Sequence, residues 1–278
     1  MAAVQRRAPM RAVAGTIAGP VGTGTGPAAR GRVLSRDGDG LEAGRCFLRA
    51  AAVLEQAGRV GDAARSLELA WEQLRRAGDA VSARDAVDRA VHLRLQQNKD
   101  FLAARFLVEV SAVTCQDGDY AAGAAGFLRA AELYGTYCPV HVASCKAQAA
   151  AAFVQTQPPN YAEAARLFSV LGAEALANSS SRHCHFLHAV MCMVANGDLE
   201  GARAALPIFA AQDPSFPLSV HGHQARRLIT SLDDADVASV AYYPCTPSAQ
   251  WLGLLLAAVK AVPRRTVSHA DATSKSVG

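Results

Sequence analysis

GDYAAGAAGFLRAAELY, residues 118–134, sets Ala121, Ala122, Ala124, Ala125, Ala130 and Ala131 among the bulky Tyr120, Phe127, Leu128, Leu133 and Tyr134, and carries Asp119, Arg129 and Glu132 as its charges. Apolar residues at three- and four-residue spacing make it a helix. Gly118 and Asp119 ahead of it read as a stop and a start, the glycine closing one helix and the aspartate capping the next. Such a segment suits either the buried helix of an enzyme or one unit of a helical stack. The surrounding sequence decides between them.

The same punctuation recurs at AGRVGDAA 57–64, AGDAVSA 77–83, NKDFLAA 98–104, PPNYAEA 158–164 and NGDLEGA 196–202. Each is a Gly or Asn, often with Asp, followed by a bulky residue and then small ones. Asp62, Asp79, Asp100 and Asp119 are separated by 17, 21 and 19 residues, and the later steps to Asn160 and Asp198 are 41 and 38. Helices near twenty residues that pair into hairpins near forty predict an all-α, right-handed, tetratricopeptide-like solenoid, a curved sheet of antiparallel helices. In that reading Ala121, Ala125 and Ala131 let neighbouring helices close up, while Tyr120, Phe127 and Tyr134 fill the space between layers. The texture holds from Leu41 to about Val262, with no sustained alternation of period two.

Composition bounds the function. With 51% hydrophobic and 19% charged residues the chain is globular. Its net +4 sits at the ends: residues 1–40 carry +4 and residues 263–278 carry +2, leaving 41–262 at −2. A basic groove for nucleic acid is therefore not expected. Seven cysteines, an odd set without a CxxC pair, read as reduced thiols. The apolar run 251–262 is broken by Lys260 and is shorter than the ~20 residues of a membrane span. The expected domains are a flexible Gly/Arg-rich extension over 1–40, a solenoid over 41–215, a C-terminal helical bundle over 216–262 and a disordered basic tail over 263–278.

LEAGRCFLRAAAVLEQAGRVGDAARSLELAWEQL (41–74), GDYAAGAAGFLRAAELY (118–134), PNYAEAARLFSVLGAEAL (159–176) and QWLGLLLAAVKAV (250–262), in that order, resemble the soluble NSF attachment proteins, more the alpha form than the gamma form. The resemblance implies an adaptor without chemistry or cofactor of its own. It would be a curved helical sheet that binds the SNARE four-helix bundle and recruits the hexameric ATPase NSF. NKDFLAARF (98–106) resembles the family stretch that carries two basic SNARE-binding residues, which fall on Lys99 and Arg105. Lys146 in VASCKAQAA (142–150) lies near a third. In 250–262, Trp251, Leu254, Leu255, Ala258 and Val262 form the expected apolar stripe, with Trp251, Leu254 and Leu255 in the bundle that faces NSF. The rival reading is a general tetratricopeptide-like scaffold for another peptide or helix.

Other motifs offer less. GPVGTGTG (19–26) lacks the Lys of a phosphate loop and reads as linker. RHCHFLHAVMC (182–192) places Cys184, His188 and Cys192 four residues apart, with His185 beside them. Helical spacing of that kind can hold zinc, but Cys and His also fill cores, and no metal is expected. HGH (221–223) comes with no recognisable nucleophile, so no enzyme activity is expected. Two departures from the family stand out. MRAVAGTIAGPVG (10–22) has Met10, Val13, Ile17 and Val21 among glycines where the family has a Phe- and Leu-rich membrane-touching loop, and PRRTVSHADATSKSVG (263–278) is basic and ends Ser-Val-Gly where the family tail is acidic with a Leu next to its end. The expected residence is cytoplasmic, with peripheral membrane contact at most.

Overall fold

A computed structural model describes residues 26–176, 179–233 and 250–262. Among them are twelve α-helices, two short 3-10 turns and no strand. The helices are α1 Pro27–Arg36, α2 Gly40–Gln56, α3 Val60–Arg76, α4 Ala80–Gln96, α5 Asp100–Gln116, α6 Tyr120–Tyr134, α7 Pro139–Gln155, α8 Tyr161–Glu174, α9 Ser180–Ala195, α10 Leu199–Gln212, α11 Val220–Asp233 and α12 Gln250–Ala261. This is the all-α helical solenoid that the punctuation predicts. From α2 to α6 the repeat is strict: the helices begin at residues 40, 60, 80, 100 and 120, and α2 to α5 have 17 residues each.

Each of the six quoted junctions is a helix boundary. Gly118 stands at φ +94°, a left-handed conformation that a glycine enters without the Cβ penalty, and Asn98 adopts φ +53° at the equivalent turn. Asp119 then accepts a bond from Ala122 N at 3.0 Å, and Asp79, Asn160 and Asp198 cap α4, α8 and α10 in the same way. Asp62 and Asp100 depart from the expected role. The caps of α3 and α5 are Arg59 and Lys99, neither with a side-chain capping bond, and the two aspartates lie inside the first turn. There they meet the positive end of the helix dipole. The junctions ahead of α7 and α11, built on the 3-10 turns Gly135–Tyr137 and Phe216–Leu218, carry no such signal.

The described residues form two compact units, divided between Asn98 and Lys99. In the first, α1 packs on α2, α2 on α3 and α3 on α4. Residues 27–36 correct the expectation of a flexible extension over 1–40: Pro27 opens α1 at a position that needs no backbone N–H, and Gly31 is buried against Phe47, whose ring would lie 3.0 Å from a Cβ there. Residues 1–25, which hold MRAVAGTIAGPVG and nearly all of GPVGTGTG, lie outside the described residues. The core alternates small and large. Ala43, Phe47, Ala50 and Ala51 of α2 meet Ala63, Ala64, Leu67, Ala70, Trp71 and Leu74 of α3, all buried. Ion pairs also tie helices together here, Arg94 to Glu68 at 2.8 Å, with the arginine buried, and Arg89 to Glu55 at 2.8 Å.

In the second unit α5 to α9 pack each on the next, and α10 and α11 both pack on α9. α12 returns to α7 and α9, so the last helix is seated on the repeat itself and not only on a separate terminal bundle. The centre is aromatic. Phe186 stacks on Phe209 at 4.3 Å and meets the edge of Phe216 at 5.3 Å. In α6 the close approach belongs to Gly123 and Gly126, not to Ala121 and Ala125, which are exposed. A Cβ at Gly123 would fall 2.2 Å from Cys115 Sγ, and one at Gly126 2.2 Å from Ser111 Oγ. Residues 234–249 and the tail 263–278 lie outside the described residues.

Candidate functional site

α5 opens the second unit with two exposed cations. Lys99 is its N-cap and Arg105 lies in its second turn, and among the described residues neither is in an ion pair. Six positions apart, they point in directions about 120° apart around the axis. Phe101, one turn before Arg105, shares its side of the helix and is 46% exposed. Its ring meets Tyr134 of α6 edge-on at 5.4 Å and His141 of α7 at 5.7 Å, and those two rings lie 4.9 Å apart. Burial, followed by the neighbouring Cys145 and Cys138, raises the Tyr134 hydroxyl above its usual range, while Arg105 is close enough to pull the other way. Three helices thus meet in an aromatic cluster with a free guanidinium beside it.

Lys146 differs. On α7 its Nζ donates to both carboxylate oxygens of Glu174 on α8, at 2.9 and 2.8 Å, and its side chain is only 21% exposed. The pair borders a groove of about 560 Å³ whose floor includes Val142, Ala143, Ala147 and Leu171. Lys146 is thus already neutralised within the chain.

On α12 the buried positions are Leu252, Leu255 and Val259. Trp251 is half-buried, stacked on Phe168 of α8 at 5.5 Å and edge-on to His188 of α9 at 5.1 Å. Leu254 is 47% exposed. The expected stripe is therefore rotated: Leu255 belongs to the core, Trp251 to its rim and Leu254 to the outer surface.

The Cys/His ladder of α9 faces inward. Cys184, His188 and Cys192 are all buried, with Cys184 Sγ 3.7 Å from His188 Nε2. Burial, reinforced by His185 and His221, lowers the His188 imidazole to about 3, and burial also raises the Cys192 thiol. These groups are neutral near pH 7, and among the described residues no three His, Cys, Asp or Glu side chains are grouped as a metal would need. Sequence spacing missed a second buried cluster, because its members lie about thirty residues apart. His183 Nε2 contacts Asp213 Oδ2 at 3.2 Å and Ser215 Oγ at 3.1 Å, and Ser215 Oγ donates to Asp213 Oδ1 at 2.6 Å. Carboxylate and hydroxyl share one ring nitrogen, whereas a nucleophile relay holds them on opposite nitrogens. Beside it Arg182 donates to the Ala173, Ala175 and Gln212 carbonyls, fixing the ends of α8 and α10. This cluster is an internal fastening.

The exposed features of these elements are the cations and the supported aromatic on α5 and the outward leucine on α12. Compared with known proteins, the chain is 25% identical over 198 residues to the alpha-soluble NSF attachment protein of Saccharomyces cerevisiae, covering 70% of this chain and 68% of the yeast protein. Residues 36–260 match the soluble NSF attachment protein (SNAP) family. That span runs from the end of α1 through nearly all of α12, and the chain belongs to the SNAP family.

Proposed function

We propose that the protein is a cytoplasmic adaptor that binds assembled SNARE complexes and recruits the ATPase NSF for their disassembly in vesicle transport, hydrolysis belonging to the partner. The observation that carries this reading is the extent of the family match, which takes in α2 to α11 whole and all but the last residue of α12. The surface is consistent with it. Lys99 and Arg105 offer unpaired positive charge to an acidic helical bundle, which favours encounter and orientation. Lys146 contributes only where a partner carboxylate replaces Glu174. On α12, Leu254 is the residue of the three that faces outward for NSF, while Trp251 and Leu255 hold the helix in place. Among the described residues no helix is long and apolar enough to cross a membrane.

The test is a pull-down with purified SNARE bundle and NSF, with and without ATP. Retention of NSF only in the presence of the bundle is the expected result. Binding of neither, with another helical or peptide partner captured, would identify a general scaffold instead.

A further inference from the structure

Phe101 stands out among the exposed apolar side chains. Of the two exposed Phe or Tyr rings among the described residues, Tyr137 is 94% exposed, whereas Phe101 is 46% exposed and wedged edge-on against Tyr134 and His141. Its ring is held by neighbours from two other helices and still offers about half its surface. Ordering it against a partner costs little side-chain entropy, since the aromatic contacts have already fixed it. One turn along the same side of α5 stands Arg105, without an ion pair among the described residues and close enough to Tyr134 to act on its hydroxyl, whereas Lys99, two residues before the ring, points to the other side of the helix. A rigid aromatic bordered by a cation is what carries energy at interfaces: the apolar centre loses water and slows dissociation, while the charge beside it guides approach.

We propose, resting on the adaptor reading above, that Phe101 is the apolar anchor of the SNARE-binding surface, and that its partner site is an apolar side chain on the helical bundle with a carboxylate one turn away to meet Arg105. The charge favours this occupant. Arg105 beside the ring attracts an acidic group and opposes a basic partner, and a bundle of helices supplies apolar and acidic residues one turn apart on a single face. Lys146, tied to Glu174, is not part of the anchor.

The experiment measures association and dissociation of the full chain on immobilised SNARE four-helix bundle at low and high salt. Phe101→Ala is expected to weaken binding about tenfold, almost wholly through faster dissociation and with an unchanged salt dependence. Arg105→Glu is expected to slow association, with the deficit shrinking at high salt. Phe101→Tyr, which keeps the ring, should bind as the parent does. If Phe101→Ala lowers the melting temperature, Phe101→Leu decides: a loss of about threefold or more supports the anchor, and parental binding overturns it. A parent that binds while both Phe101→Ala and Phe101→Leu bind equally well overturns the proposal and leaves the charges as the whole of the surface. A parent that does not bind the bundle at all overturns the adaptor reading, and the anchor with it.

Discussion

At the scale of single residues, the packing decides the sign of an otherwise identical substitution. Gly172 of α8 faces the buried Phe186 ring, which would lie 2.3 Å from a Cβ, and that ring is itself locked between Phe209 and Phe216. Gly172→Ala should destabilise by about 1–3 kcal/mol despite the better helix propensity of alanine. Gly253 of α12 has nothing within 4 Å, so Gly253→Ala should stabilise by about 0.5–1 kcal/mol. Urea denaturation of the two variants checks both signs. His188 offers a second test. Its unfolded value is near 6.5 and its folded value is lowered to about 3, chiefly by burial. A depressed histidine contributes stability that is complete above pH 6.5 and is lost as pH falls towards 3, at up to ~1.4 kcal/mol per pH unit. His188→Phe, which keeps a ring against Phe168 and Trp251, should flatten the decline between pH 7 and pH 5 relative to the parent; an unchanged slope would place the sensitivity outside His188. Residue roles were only partly legible in the sequence. A helix rich in Ala and Gly shows that something approaches closely, but whether Ala121 or Gly123 lies at the contact depends on the neighbouring helix, which local spacing does not encode.

At the scale of elements, the helix ends were legible and the helix faces less so. Gly or Asn followed by Asp is a chemical signal in consecutive residues, so all six quoted junctions appear in the structure. Turns without that signal, such as Gly135–Tyr137 and Phe216–Leu218, stayed hidden. For α12 the difficulty is composition. Leu252, Leu254, Leu255 and Leu256 are spread over about 200° around the axis, so hydrophobicity alone cannot fix the face, and the seat on α7 and α9 selects Leu252, Leu255 and Val259. Trp251→Ala should then cost about 2–4 kcal/mol, somewhat below a fully buried tryptophan because part of the ring is exposed, and should raise hydrogen exchange across 250–261. Exchange in 250–261 identical to the parent would mean that the stacking on Phe168 does not hold α12.

At the scale of the whole molecule, the repeat was the strongest signal in the sequence. Five successive helices start twenty residues apart, the spacing of a helix and its turn repeated along the chain. The division at Asn98 and Lys99 was not legible, since its turn carries the same punctuation as the others. Nor was the return of α12 to α7 and α9, because a long-range seat leaves no local pattern. The candidate surfaces on α5 and α12 both fall in the second unit but on different elements, which makes two activities separable in the full chain. With SNARE bundle and NSF present and hydrolysis blocked, the double variant Lys99→Glu with Arg105→Glu should lose the bundle and, with it, NSF. That loss should fade as salt shortens the screening distance from ~10 Å at 0.1 M to ~3 Å at 1 M. Leu254→Ser removes an outward apolar group without opening the core, so it should keep the bundle and lose only NSF. A Leu254→Ser protein that recruits NSF as the parent does would move the NSF contact off α12, and a double variant that binds the bundle normally at low salt would reduce Lys99 and Arg105 to solvated residues of a helix end.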